Sequence, residues 1–325
     1  MENLLDQQLD AIDNHVTRRN RFALYAWGVV VYTLLVILWG AYVRASGSGA
    51  GCGNHWPLCN GQVLPHSKQI ETLIELTHRL MSGLSLLLII GLAVWAFRAY
   101  TRKHPIRFAA TLSLVFILTE ALIGAVLVRA ELVAGNASLS RAIVMSIHLV
   151  NTFTLMAFLT LTAWWASGRP AIRLRGQGFL LWLFALALIG TLILAVSGAV
   201  AALGDTLFPA ESLAAGFDQD VSPTAHFLIR LRLLHPVLAL IVGSIVLIVA
   251  SVANVQRPGK WVRQSMLTVT ALVVVQLLVG LVNVALLAPI WLQLVHLLLA
   301  DLLWMALVVL MASALEEKVS TTSQY

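Results

Sequence analysis

Eight apolar runs, each of about 20 residues or more, constrain this chain more than any other feature, because that is the length an α-helix needs to cross a bilayer core. They lie near residues 22–44, 76–97, 108–128, 142–166, 178–203, 227–253, 262–287 and 290–314. With 59% hydrophobic and 11% charged residues and a mean hydropathy of +0.88, a water-soluble fold is excluded. The reading is an all-α polytopic membrane protein whose first partner is the lipid bilayer. The first 20 residues are polar and partly acidic, unlike a cleaved leader, so the first span is expected to be an uncleaved anchor.

The net charge of +6 is explained by the loops and calls for no nucleic-acid partner. Fourteen of the 21 Lys and Arg residues fall on one side: Arg18, Arg19, Arg21, Arg98, Arg102, Lys103, Arg107, Arg169, Arg173, Arg175, Arg257, Lys260, Arg263 and Lys318. Four fall on the other: Arg44, Lys68, Arg129 and Arg141. The positive-inside rule therefore predicts a cell (inner) membrane protein with both termini cytoplasmic, and with the 45–75 and 204–226 loops facing outward.

The chain also repeats itself. Thr119 to Gly124 aligns with Val275 to Gly280 at an offset of 156, and His78 and Val43 recur as His235 and Val200 at 157, while His148 and His296 are 148 apart. Eight spans then divide into two tandem four-helix bundles related by a pseudo-two-fold repeat about an axis along the membrane normal. The boundaries are a cytoplasmic segment 1–21, an N-terminal half 22–166, a linker 167–177, a C-terminal half 178–314 and a tail 315–325.

Five of the nine histidines, His15, His55, His66, His104 and His226, fall in tails or loops and read as solvated side chains. His78, His148, His235 and His296 fall inside the even-numbered spans, where an ionisable group is costly without a partner. A single one of these is as well explained by a helix-to-helix hydrogen bond. All four, however, lie about 3 to 9 residues from the outward end, in one layer, with one pair per half. Two imidazoles facing across a four-helix bundle suit axial ligation of a heme iron, whereas structural zinc more often recruits cysteine or carboxylate. Two heme-sized sites are expected.

The segment Ser46 to Gly61 is too rich in glycine and turn formers to be span, and it carries the chain's two cysteines, Cys52 and Cys59. On an oxidising face the two are suited to a disulfide, as either a loop staple or a redox group. Glu75 precedes His78 by three residues, on nearly the same helix face. It reads either as a helix-start carboxylate favoured by the dipole or as a carboxylate held against a bound heme. Arg232 stands at the corresponding place before His235, so the two sites differ chemically. Arg44, Arg79, Arg129, Arg230 and Arg232 near outward ends either snorkel to the interface or pair with heme propionates. Glu120, Gln276 and Asp301 read as helix-packing polar groups.

Taken together, these residues resemble the heme A synthase family over about 290 residues. The resemblance rests on Gly40-Ala41-Tyr42-Val43-Arg44 running into Ser46-Gly47-Ser48-Gly49, on Cys52 and Trp56-Pro57-Leu58-Cys59-Asn60-Gly61, and on Glu75 with Thr77-His78-Arg79-Leu80. It continues in His148 with Asn151-Thr152, and in His235 and His296. It implies that His235 and His296 ligate a resident heme b, with Arg232 a propionate contact. His78 and His148 would flank substrate heme O, with Arg44, Arg79 and Arg129 near its propionates. Glu75 would serve the oxidation of the heme O methyl group to the formyl of heme A, and Cys52 and Cys59 would form a redox-active or stabilising disulfide. Heme O synthase, terminal oxidase assembly partners and a second copy of the chain are the associations it implies; the electron acceptor is not indicated. The chain departs from the family in lacking a second-half cysteine pair, in Pro236 where Arg is frequent and in Glu120 where Gln is common. The competing function is a di-heme b-type cytochrome acting only in electron transfer.

Overall fold

The computed structural model describes residues 2–65 and 68–316, with side chains from Asn20 onward. His66, Lys318 and the chain from residue 317 on lie outside the described residues, as do the side chains of His15, Arg18 and Arg19. Ten α-helices account for most of the described residues: α1 Glu2–Ala45, α2 Ile70–Ala99, α3 Pro105–Arg129, α4 Leu139–Ala166, α5 Phe179–Leu207, α6 Leu213–Val221, α7 Phe227–Arg232, α8 Leu234–Gln256, α9 Lys260–Ala285 and α10 Ile290–Ala314. Eight segments are long and apolar enough to cross a membrane, the first being Asn20–Ala45 of α1 and the sixth the run Phe227–Gln256 that holds α7 and α8. The protein is a multi-pass helical membrane protein. Its outer surface agrees: Leu24 and Trp182 are 75% and 70% exposed, which suits side chains facing lipid rather than water.

Local chemistry explains where the helices begin and break. Ser138 caps α4 by accepting from the Arg141 N–H at 3.2 Å, and Ser212 caps α6 by accepting from the Ala215 N–H at 3.1 Å. Pro105 opens α3 at a position whose N–H would be unsatisfied anyway. Pro236 has no N–H to return to the carbonyl four residues earlier, and the sixth span breaks at Leu233, between α7 and α8. Two boundaries differ from the sequence expectation by four residues or more. Helix α2 starts at Ile70 rather than near 76, so that Glu75, expected at the helix start, lies inside it with partners on the loop and on Arg79. Helix α5 runs on to Leu207, because Asp205 pairs with Arg232 at 3.2 Å, and the following outward connection contains α6.

Helices α1 to α4 pack in chain order, with α4 returning against α1, while α5, α8, α9 and α10 pack likewise, with α10 returning against α5. The two groups meet where α4 lies against α5 and α10, and α1 against α10. Hydrogen bonds cross this seam at both depths. The Trp304 indole N–H donates to the Phe153 carbonyl at 2.7 Å, among buried side chains that include Val308 and Ala312. Arg44, at the end of α1, donates to the Ala202 carbonyl at 2.8 Å, to Thr206 Oγ1 at 3.0 Å and to Gln293 Oε1 at 2.9 Å. One guanidinium thus ties α1 to α5 and α10 at the end of the bundle that carries the cysteine loop. Arg44→Ala should lower unfolding stability in detergent by about 1–3 kcal/mol, the cost of stranding buried polar partners. A denaturation midpoint equal to that of the unaltered protein would show that this tie is idle.

Candidate functional site

All four span histidines lie at the cysteine-loop end, six to nine residues into their apolar segments. In the first group, His78 of α2 rests directly on α1: a Cβ at Gly40 would sit 2.8 Å from its Cε1. His78 Nδ1 is buried without a hydrogen-bond partner. His148 stands on α4 of the same group. Its Nδ1 is 3.5 Å from Glu120 Oε1 of α3, within ion-pair range but outside hydrogen-bond geometry. Glu120 is gripped in turn by the Thr152 hydroxyl and by Asn151 Nδ2 at 2.5 Å.

In the second group, His235 and His296 have ring centroids 6.3 Å apart and planes at 85°, an edge-to-face arrangement that brings the two imidazoles together from α8 and α10. His235 Nδ1 lies 3.0 Å from Ser197 Oγ, which leaves Nε2 as the open ligand atom. Its ring rests on Gly198 of α5, where a Cβ would approach Cε1 to 2.9 Å, and His296 rests on Gly280 of α9 at 3.1 Å. Gln276 Nε2 donates to the His296 carbonyl at 3.1 Å and lies 3.3 Å from its Nε2, while Nδ1 is buried and unpartnered. Paired imidazoles, three of the four with a buried unpartnered Nδ1 (His78, His148, His296) and three of the four seated on a glycine (His78, His235, His296), fit a bis-histidine metal centre.

The cysteine loop is fastened to the first group through one carboxylate. Cys52 and Cys59 form a disulfide, and both are fully buried or nearly so. Glu75, 3% exposed, accepts from the Cys52 N–H at 2.8 Å on one oxygen and from Arg79 on the other. The Arg79 Nη1 donates to the His55 and Leu58 carbonyls, each at 2.6 Å. Cys52, Glu75 and Arg79 therefore form one continuous polar chain running from the disulfide to the helical turn that carries His78.

The remaining arginines are placed unequally. Arg232 is clasped by Asp205 at 3.2 Å, by Asp220 and by the Gly216 carbonyl at 3.3 Å, so its charge is balanced by the helix that covers it. Arg230 donates to the Ala225 and Pro223 carbonyls. Arg129 is exposed at the end of α3. Arg44 and Arg79 hold the protein contacts already described. Sequence reasoning missed the glycine seats, the Ser197 contact and the acidic partners of Arg232. The seats had a signal, since Gly40 and Gly198 recur at nearly the interval of His78 and His235. The acidic partners had none, since Asp205 and Asp220 are brought to Arg232 only by the turn through α6.

These features define a multi-pass helical membrane protein with two histidine pairs layered at one end, one of them joined to a disulfide loop. Residues 23–308 match the family described as Cytochrome oxidase assembly protein, and the chain belongs to that family. It is 50% identical over 297 residues to a protein of Thermus thermophilus named Protoheme IX farnesyltransferase, covering 91% of this chain and 49% of that one. It is 39% identical over 137 residues to Heme A synthase of Geobacillus kaustophilus, covering 42% of each. It is also 36% identical over 149 residues to Heme A synthase of Bacillus licheniformis, covering 45% of this chain and 47% of that one. The chain spans about half the length of the curated relatives it matches.

Because Arg79 holds the loop by two carbonyl contacts, Arg79→Ala should speed reduction of the disulfide by a phosphine roughly tenfold, the effect of losing about 1.4 kcal/mol of local stability. Alkylation and mass measurement over time read this rate. An unchanged rate would mean that the loop is held by other contacts.

Proposed function

We propose that the protein is a heme A synthase, which oxidises the methyl substituent of heme O to the formyl group of heme A for terminal oxidase biogenesis. The observation that carries the reading is Glu75: a buried carboxylate three residues from His78, hydrogen-bonded to the disulfide loop, with no acid at the equivalent place before His235. One histidine pair is thus equipped for chemistry and the other for retention.

In this reading His78 and His148 hold heme O from either side, and His235 and His296 hold a resident heme b, which when bound supplies a one-electron carrier beside the substrate. The methyl carbon loses two electrons and two protons in each of two successive steps. Water supplies the oxygen, and the electrons leave to an external one-electron acceptor. Glu75 takes the released proton or stabilises positive charge developing at the carbon, while Arg79 orients the carboxylate and balances its charge. The arginines at this end, Arg44, Arg79 and Arg129 for the substrate and Arg232 for the resident heme, are the candidate propionate contacts; of these Arg129 is the most open.

The same reading treats 22–166 and 178–314 as tandem halves joined by 167–177, in a cell membrane with both termini cytoplasmic. The chain-order packing within each of the two helix groups and the recurring histidine-on-glycine contacts support it. A farnesylated protoheme is heme O, so a longer relative named for that transfer fits a partnership between consecutive steps.

His235→Ala and His296→Ala should each abolish the low-spin spectrum of the resident heme, and Gly198→Ala should weaken it by pushing the His235 ring aside. Glu75→Gln should keep that heme and the fold while lowering heme A formation by about 10²–10⁴. Extracting and weighing the porphyrins from each purified variant is the decisive measurement. Heme O or its hydroxymethyl form should accumulate in Glu75→Gln. Unaltered heme A would remove the carboxylate from the chemistry, and two permanent b hemes with no heme O or heme A would establish the electron-transfer cytochrome instead.

A further inference from the structure

Glu120 differs from its repeat counterpart Gln276 in charge, and each reaches the histidine of the following even-numbered span. Glu120 Oε1 lies 3.5 Å from His148 Nδ1, whereas Gln276 presents an amide nitrogen to His296. The surroundings differ in step with this. Asn151 donates to Glu120 Oε2 at 2.5 Å and to the Phe116 carbonyl at 2.9 Å, and its own oxygen accepts from Thr119 at 2.6 Å. Thr152 reaches Glu120 Oε1 from the turn just below His148. At the interval that carries His148 to His296, Asn151 and Thr152 become Leu299 and Ala300, which cannot donate from their side chains. The carboxylate and the two side chains that hold it therefore occur together in one half and are absent together from the other.

We propose that Glu120 is a positioning residue for the substrate site. It accepts a hydrogen bond from His148 Nδ1–H, fixes the ring with Nε2 toward the iron, and makes this imidazole a stronger electron donor than His296. The inference rests on the reading above that His148 ligates heme O. A few tenths of an ångström separate the observed 3.5 Å from hydrogen-bond distance, a gap that a small ring rotation closes. An acceptor on the far nitrogen of a ligating histidine sets its tautomer and raises its basicity, which favours the oxidised iron. The consequence is a substrate heme poised at lower potential than it would have against an amide. Asn151 and Thr152 keep the carboxylate from swinging away.

The test is a potentiometric titration of the full-length protein in detergent, loaded with heme O and followed by optical and low-spin EPR spectra. His148→Ala should remove the first-site wave; if that wave survives, His148 is not its ligand and the underlying reading fails. With the wave so assigned, Glu120→Gln should move its midpoint to more positive potential, alter its low-spin EPR signal and leave the resident-heme wave in place. Thr152→Val, which keeps the carboxylate but loosens it, should move the same wave a smaller distance in the same direction, and it decides the matter if Glu120→Gln does not fold. A first-site midpoint unmoved in whichever of these variants binds heme would overturn the role given to Glu120.

Discussion

A polar side chain inside a bilayer has no water to fall back on, so each one must find a partner within the helix bundle or mark a place where something else binds. Most of this protein's buried polar groups obey the first alternative. Tyr25 donates to the Leu88 carbonyl at 2.8 Å, Thr33 and Ser85 meet at 3.3 Å between α1 and α2, and Trp304 bonds across the seam to Phe153. Arg44 satisfies three acceptors on two other helices. The Nδ1 atoms of His78, His148 and His296 are among the exceptions, buried with no hydrogen bond. Their lack of partners, in one layer at one end, identifies the site more sharply than their identity as histidines does.

The same constraint explains what was legible in the sequence. Spans are legible because lipid requires long apolar runs, and the structure has eight such segments where the sequence has eight runs. The histidines are legible because an ionisable group inside such a run stands out against it. What hydropathy reads poorly is a polar residue whose partner is distant in sequence. Glu75 reads as a helix-start carboxylate until Cys52 and Arg79 are brought to it, and α2 begins six residues earlier than the apolar run implies. Asp205 likewise suggests the end of a span until Arg232 is placed beside it. The glycine seats stayed hidden for a different reason: a glycine in an apolar helix carries no hydropathy signal, and its meaning appears only when an imidazole is found occupying the missing Cβ.

Two similar helix groups carry different polar neighbours around their histidine pairs. Around His78 and His148 stand two carboxylates, Glu75 and Glu120, each held by donors on neighbouring elements. Around His235 and His296 the neighbours are Ser197 and Gln276, both neutral, and Arg232, three residues before His235, is paired with Asp205 and Asp220. Glu75 is likewise paired, with Arg79, whereas among the described residues Glu120 is held by Asn151 and Thr152 and faces His148, with no Arg or Lys against it. A carboxylate without a paired cation stabilises a centre that becomes more positive, and does so more strongly in a low-dielectric medium than in water.

The coverings of the two pairs differ in kind as well. Above the second pair, α6 is locked down by Arg232, whose guanidinium reaches Asp205 on α5 and Asp220 on α6 at once, so moving the cover would separate buried opposite charges. Above the first pair the cover is the disulfide loop, attached through the Cys52 N–H and through Arg79 to two backbone carbonyls. Most of these attachments are hydrogen bonds to main-chain atoms, which water replaces at smaller net cost than it replaces a paired buried charge. The two coverings are thus held by different kinds of contact, ion pairs at α6 and mainly main-chain hydrogen bonds at the loop, to which Thr72 adds one to the Gly51 carbonyl at 2.7 Å. The contacts that seat the loop also fix the Glu75 carboxylate three residues from His78, so the placing of the loop and the placing of the carboxylate depend on the same hydrogen bonds.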